Sequence, residues 1–184
     1  MEKISTSEIV DASVIRGAGS VESIGLIGRY NVQCYDSDGN MKWEDNIDNL
    51  VTTVGKDDLL DKYLSGSSYT AAFYFGLIDN SGFLQIVVGD TMASHAGWSE
   101  YTNYSSATRP APTFASASSG SKSTSGAVSF TASGAGGTVT GAFLVTNSTK
   151  GGSSGVLVSA GQFTGGNKTV VAGDIVNVTY TLSA

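Results

Sequence analysis

The last third of the chain is a series of short apolar segments separated by turn residues, and this pattern limits the folds that the chain can adopt. Four segments fit strands, at residues 127–132, 138–146, 155–163 and 169–182, the last with a break at 172–174. In the final segment alternate residues from Val176 to Leu182 are apolar, so a strand there has one dry and one wet face. Such strands, joined by short turns, predict an antiparallel β-sandwich.

The first half of the chain adds a hairpin, a buried strand and one helix. Residues 30–35 alternate apolar and polar side chains, and a turn at 36–40 separates them from a second strand at 41–44, which predicts a β-hairpin. The continuous apolar run at 70–78 predicts a strand that is buried on both faces. Residues 46–64 have apolar side chains at helical spacing, with Gly66 as a stop, and predict one short helix.

Two segments lack any sustained period. Residues 1–27 predict an extended N-terminal arm, whose apolar side chains need cover from another surface; they are Ile9, Val10, Val14, Ile15, Ile24, Leu26 and Ile27. Residues 108–126, rich in serine and with two prolines, predict a long loop or linker. A chain of 184 residues suits one core. We therefore expect an arm at 1–27 and a mainly β domain at 28–184, an antiparallel, jelly-roll-like sandwich.

Charge and cysteine content exclude several classes of protein. The net charge of −6 and the ten dispersed Lys and Arg residues argue against binding nucleic acid. No run reaches the roughly 18 apolar residues of a membrane helix, so we expect no membrane partner. The single cysteine, Cys34, cannot form an internal disulfide, and the opening residues lack the pattern of a signal peptide. Synthesis outside the secretory pathway is the expectation.

Catalytic and metal-binding interpretations are weak. His95 is the only histidine, so a site with two imidazoles within one chain is excluded, and Cys34 lies in a different predicted element. Asp90, Ser94 and His95 lie close together in sequence, but no Gly-x-Ser-x-Gly elbow is present. A short capped turn or helical turn that begins after Asp90 explains these residues better than an acid–base dyad does.

Calcium and phosphate sites are also disfavoured. The segment at 36–40 resembles the start of a calcium loop, but Gly39 stands at position 4 and Glu44 at position 9, where such loops need glycine at 6 and an acid at 12. Glycine clusters at 134–137 and 151–152 are not followed by Lys-Ser or Lys-Thr, and Lys150 precedes its glycines. We predict turns at these places and expect no catalytic, cofactor-binding or metal-binding residues. The chain is therefore predicted not to be an enzyme.

An aromatic cluster leaves two interpretations open. Trp98, Tyr101 and Tyr104 could stack on sugar rings, as a glycan-binding module requires. Aromatic residues in β domains more often belong to the core or to an interface, and we favour that interpretation.

Six short blocks between residues 46 and 184 carry a resemblance to a known family. The blocks are NLVT at 49–52 with Gly55, FYFGLI at 73–78, GDTMASHAGWSE at 89–100, GAFLVT at 141–146, VSAG at 158–161 and VAGDIVNVTYTL at 171–182. In this order the blocks resemble a family of tailed-bacteriophage virion proteins, namely capsid decoration, cement and head-fibre proteins.

The family likeness carries several functional expectations. It implies a structural protein on the capsid surface of the virion, assembled in the host cytoplasm. Its expected partners are the major capsid protein and copies of itself, as a homotrimer. The family offers no catalytic residues to transfer. The alternative is a phage tail or receptor-binding component that recognises a cell-surface glycan. Whether the arm would bind the shell or a sister subunit stays open.

Overall fold

The computed structural model describes residues 25–64 and 72–184. The predicted arm, except for residues 25–27, lies outside the described residues. The described elements are β1 (Ile27–Tyr35), β2 (Met41–Val51), α1 (Thr53–Leu64), β3 (Tyr74–Asp79), β4 (Ser99–Tyr101), β5 (Ser121–Ser123), β6 (Val128–Thr131), β7 (Gly137–Val145), β8 (Leu157–Gln162), β9 (Lys168–Val170) and β10 (Ile175–Ser183). No helix in the described ranges has the length and apolar character needed to cross a membrane.

The strands form a single hydrogen-bonded path in which every pairing is antiparallel. Their order is β4-β3-β7-β8-β2-β1-β10-β5, with β6 beside β10 and β9 beside β7. Strand β2 links the two halves of this path, because it pairs with β1 along most of its length and with β8 only through Leu50 and Val51. The mainly β class with one short helix is confirmed, while the jelly-roll-like sandwich arrangement stays a prediction.

The core is built from both halves of the path. Phe75 of β3 lies edge-on to Tyr30 of β1, with ring centroids 6.0 Å apart, and to Tyr180 of β10 at 6.3 Å. All three rings are buried. A second cluster contains Ile78, Met92, Trp98, Phe143, Val145, Leu157 and Ala160. Burial of these aromatic and aliphatic side chains supplies the main driving force for folding.

Most strand predictions are confirmed. Strands β1 and β2 form the predicted hairpin, and Gly39 in its turn has a φ of 86°. Residues 74–78 of the predicted run lie in β3, which continues to Asp79 and has its four central residues buried between β4 and β7, while residues 70–71 lie outside the described residues. The last four predicted segments match β6, β7, β8, and β9 with β10, although β7 and β9 begin one residue earlier and β10 ends one residue later than predicted. In β10 Val176, Val178 and Tyr180 are buried, as the alternation predicts.

The predicted helix begins too early. Residues 46–51 belong to β2, and α1 starts only at Thr53. The segment pairs with β1, where Ile47 lies opposite Tyr30 and both are buried. Tertiary pairing therefore overrides the helical spacing before residue 53. The Thr52 hydroxyl accepts a hydrogen bond from the Gly55 amide at 3.1 Å and caps the helix at its actual start.

The predicted linker at 108–126 is part of the folded body. Strand β5 lies in it and pairs with β10. Arg109, at its beginning, has a fully buried side chain. Phe114 stacks edge-on against Phe73 at 6.0 Å. The serine-rich composition of the segment thus reflects exposed positions between anchored ones.

Candidate interaction surface

Asp90 and His95 both contact Trp98. The Asp90 carboxylate accepts a hydrogen bond from Trp98 Nε1 at 2.9 Å and one from the Val87 amide at 3.0 Å. The His95 ring stacks on the Trp98 ring at 4.0 Å, and its Nδ1 lies 2.9 Å from the Trp98 carbonyl oxygen. This geometry makes both residues supports of a buried tryptophan.

The turn predicted after Asp90 exists, but its cap is the next residue. The hydroxyl of Thr91 accepts a hydrogen bond from the Ser94 amide at 3.0 Å. Thr91 and Ser94 also exchange backbone hydrogen bonds. Asp90 points back to Val87 instead of forward into the turn. The sequence therefore located the turn correctly, and the structure identifies Thr91 as its cap.

The calcium-like segment is a side-chain-stabilised hairpin turn. The Asp36 carboxylate accepts hydrogen bonds from the Asp38 amide at 3.0 Å and the Asn40 amide at 2.8 Å. These hydrogen bonds hold the pKa of Asp36 below its ordinary value. The predicted turn chemistry is confirmed. Residues 25–64 and 72–184 contain no cluster of three or more His, Cys, Asp or Glu side chains that could hold a metal ion.

The aromatic cluster belongs to the core. Trp98, Tyr101 and Tyr104 are all buried, and Trp98 packs against Phe143 with centroids 5.3 Å apart. Tyr104 lies edge-on to Phe130 at 5.1 Å. Burial raises the pKa of Tyr101 to about 12. These three rings therefore offer no exposed platform for a sugar, and the core interpretation is confirmed.

A buried ion pair organises the loops beside β4, and sequence reasoning did not identify it. Arg109 Nη2 lies 2.8 Å from Glu100 Oε2, and both side chains are almost fully buried. The same guanidinium donates to the carbonyl oxygens of Asn147 and Gly152 at 3.0 and 2.8 Å. Glu100 also accepts the Gly151 amide at 2.7 Å. The only sequence signal was one arginine in an otherwise uncharged segment.

An apolar groove of about 520 Å³ separates α1 from the sheet. Its walls include Leu59, Phe73, Phe114, Leu144, Val158 and Leu182. The first turn of the helix lies close to the sheet, since a Cβ on Gly55 would lie 2.4 Å from the Val158 carbonyl oxygen. Further along the helix, Leu59 and Tyr63 line the groove.

Helix α1 is poorly covered by the rest of the described structure. Gly55 is its only buried residue. Leu59, Leu60, Tyr63 and Leu64 have exposed fractions of 42, 52, 83 and 75%. A helix of this length depends on packing for its stability. The exposed apolar side chains therefore make this helix a candidate docking surface.

A second apolar surface, here called the loop patch, consists of Leu50, Leu84, Val87 and Val88. Their exposed fractions are 40, 78, 41 and 47%. Leu50 and Leu84 line one shallow cleft, and the Val88 carbonyl accepts a hydrogen bond from the Thr53 amide at 3.0 Å. A backbone hydrogen bond also holds the loop in place, because the Leu84 amide donates to the Gly97 carbonyl oxygen at 2.7 Å. Clustered exposed apolar residues on a fixed backbone are typical of protein interfaces.

Cys34 provides a test of the described packing. Its side chain is buried in the core of β1, and burial raises the pKa of its thiol to about 11. The reactive thiolate is therefore scarce at pH 8, and reagents cannot reach the sulfur. We expect a thiol reagent such as DTNB to leave native protein unmodified and to label it fully in denaturant. Rapid labelling of the native protein would contradict the burial of Cys34.

Comparison of the chain with known protein families, with curated proteins and with solved structures finds no match.

Proposed function

We propose that this chain is a structural protein of a bacteriophage virion that decorates or cements the capsid through protein–protein contacts. The observation that carries the proposal is the loop patch, an exposed apolar surface on a rigid loop at the start of α1. Apolar, well-ordered patches of this kind suit a stable docking interface. The ordered blocks that resemble phage decoration proteins add independent support.

The proposed partners are the major capsid protein and other copies of this chain, arranged as a homotrimer on the capsid surface. A closed cyclic oligomer would match the threefold positions of an icosahedral shell. The uncovered side of α1 provides a further apolar surface for such contacts. Assembly would take place in the host cytoplasm, and the proposal includes no catalytic step.

Glycan recognition by a tail component has less support. The aromatic residues that suggested it are buried. Glycan binding through stacking requires exposed rings. The decoration role is therefore the one function proposed.

Electron microscopy of particles with and without the protein tests this proposal. We expect regularly spaced knobs over the capsid of complete particles and a smooth shell when the gene is deleted. Density that disappears only from the tail would contradict the decoration role. The mass of the purified protein in solution tests the homotrimer separately, and a monomer at micromolar concentration would argue against it.

A further inference from the structure

The described chain begins beside the groove under α1. Ile27 pairs with Ser183, and Gly28 pairs with Leu182, which is one of the groove walls. Neighbouring strands lie about 4.8 Å apart, so the chain enters β1 one strand spacing from that wall. Leu26 is half-buried at this position. The residues that precede Gly25 therefore start within immediate reach of the groove.

The direction of the side chains on β1 also favours contact between the preceding segment and the groove. Side chains on one strand alternate between faces, so Leu26 and Gly28 share the face of the buried Tyr30. Tyr180, which pairs with Tyr30, lines the groove. Positions on this face of β1 thus lead towards the groove and not towards the opposite, polar side of the sheet.

The preceding segment carries apolar side chains that match the groove. Residues 9–24 contain Ile9, Val10, Val14, Ile15, Val21 and Ile24. Val21 and Ile24 lie within four residues of Gly25, a span of up to about 13 Å in extended chain. The groove in turn presents aliphatic and aromatic walls and leaves Leu59 and Tyr63 partly or largely exposed. Within the described residues the groove is therefore open, and apolar side chains of the preceding segment are of the kind that could cover it.

We propose that residues 9–24 of the chain bind in the groove between α1 and the sheet of the same molecule, with Val21 and Ile24 as the main contacts. The tether makes this binding intramolecular, and a short tether gives an effective concentration in the millimolar range. A second copy or a separate partner would have to compete with that concentration. The bound segment would bury the inner side of α1 and leave its outer side and the loop patch for partners. The inference does not depend on the virion role.

Cysteine labelling in the full-length protein tests the proposal. Leu59→Cys places a thiol in the groove wall, and Leu60→Cys places one on the same helix outside that wall. Cys34 is buried and adds no background in the native state. We expect iodoacetamide to label the Leu59→Cys protein about tenfold more slowly than the Leu60→Cys protein, because the segment must leave the groove first.

A double substitution within residues 9–24 tests whether this segment occupies the groove. In the Leu59→Cys background, Val21→Asp with Ile24→Asp should raise labelling to within about twofold of the Leu60→Cys rate, since charged side chains do not enter an apolar groove. The matched control, Ser20→Asp with Ser23→Asp, adds the same charge at polar positions and should preserve protection.

Three results would overturn the proposal. Equal labelling of the two single-cysteine proteins would show that nothing covers the groove. Protection that survives Val21→Asp with Ile24→Asp would exclude these residues as the cover. Protection that is lost on dilution from micromolar to nanomolar protein would assign the groove to a second copy instead of the same chain.

Discussion

Replacement of Arg109 by Ala should lower the free energy of unfolding by about 3–5 kcal/mol, because it leaves the buried Glu100 carboxylate without its counter-charge. The carbonyl oxygens of Asn147 and Gly152 would also lose their donors. A domain of this size is stable by only about 5–15 kcal/mol, so the variant should approach the limit of folding. Urea denaturation followed by circular dichroism measures the change.

Arg29→Ala is the matched control for Arg109→Ala. Arg29 pairs with Asp48 at 2.8 Å, but the two side chains are 62 and 71% exposed. Exposed pairs contribute about 0–1 kcal/mol, so this variant should be nearly as stable as the parent. A second variant, Arg109→Met with Glu100→Gln, removes both charges and should lose less than the sum of the two single changes. Equal losses for Arg109→Ala and Arg29→Ala would refute the structural role of the buried pair.

Gly76→Ala should destabilise the protein by about 1–3 kcal/mol, towards the upper end of that range, by overpacking the core. A Cβ at residue 76 would lie 2.1 Å from Cζ of the Phe143 ring. Phe143 is fully buried and packs against Trp98, so the ring has little space into which to move. The midpoint of urea denaturation reports the loss.

Two further variants define the cause of the Gly76→Ala effect. Gly126→Ala should change stability by less than about 0.5 kcal/mol, because a Cβ there meets nothing within 4 Å. Phe143→Leu should relieve the clash, so Gly76→Ala should cost less in that background than in the parent. If the stability losses from Gly76→Ala and Phe143→Leu were simply additive, the Phe143 ring and a Cβ at residue 76 would not compete for space.

The sequence predicted those elements whose signal is local. The β1–β2 hairpin followed from period-two alternation and from the turn at 36–40, and β10 from the alternation between Val176 and Leu182. The burial of β3 on both faces followed from its continuous apolar run. In each case the neighbours along the chain carry enough information to determine the local structure.

The start of α1 could not be predicted from local spacing. Asp45 occupies a buried position in β2, where alternation alone predicts an apolar residue. Burial would raise the pKa of Asp45, but hydrogen bonds from Thr164, Gly165 and Lys168 outweigh that effect and hold the pKa below its ordinary value. Partners more than a hundred residues away therefore satisfy a carboxylate that is buried immediately before the segment that locally resembles a helix.

The candidate surfaces required the structure for the same reason. The close approach of α1 to Val158, both of which line the groove, depends on the absence of a side chain at Gly55. The loop patch depends on backbone hydrogen bonds that fix residues 84–88 against Gly97 and Thr53. The apolar residues were visible in the sequence, but their exposure was not. Exposure depends on the packing of distant segments.

The most direct test of the proposed function is the binding of purified protein to phage particles that lack it, measured by co-sedimentation. We expect the parent to bind, and Leu84→Asp with Val88→Asp to bind at least about tenfold more weakly, because charges in an apolar interface core lose their hydration. Ala117→Asp adds a charge on a different exposed loop and should bind like the parent. Full binding by the Leu84→Asp and Val88→Asp double variant, with its fold verified by circular dichroism, would contradict the role of the loop patch.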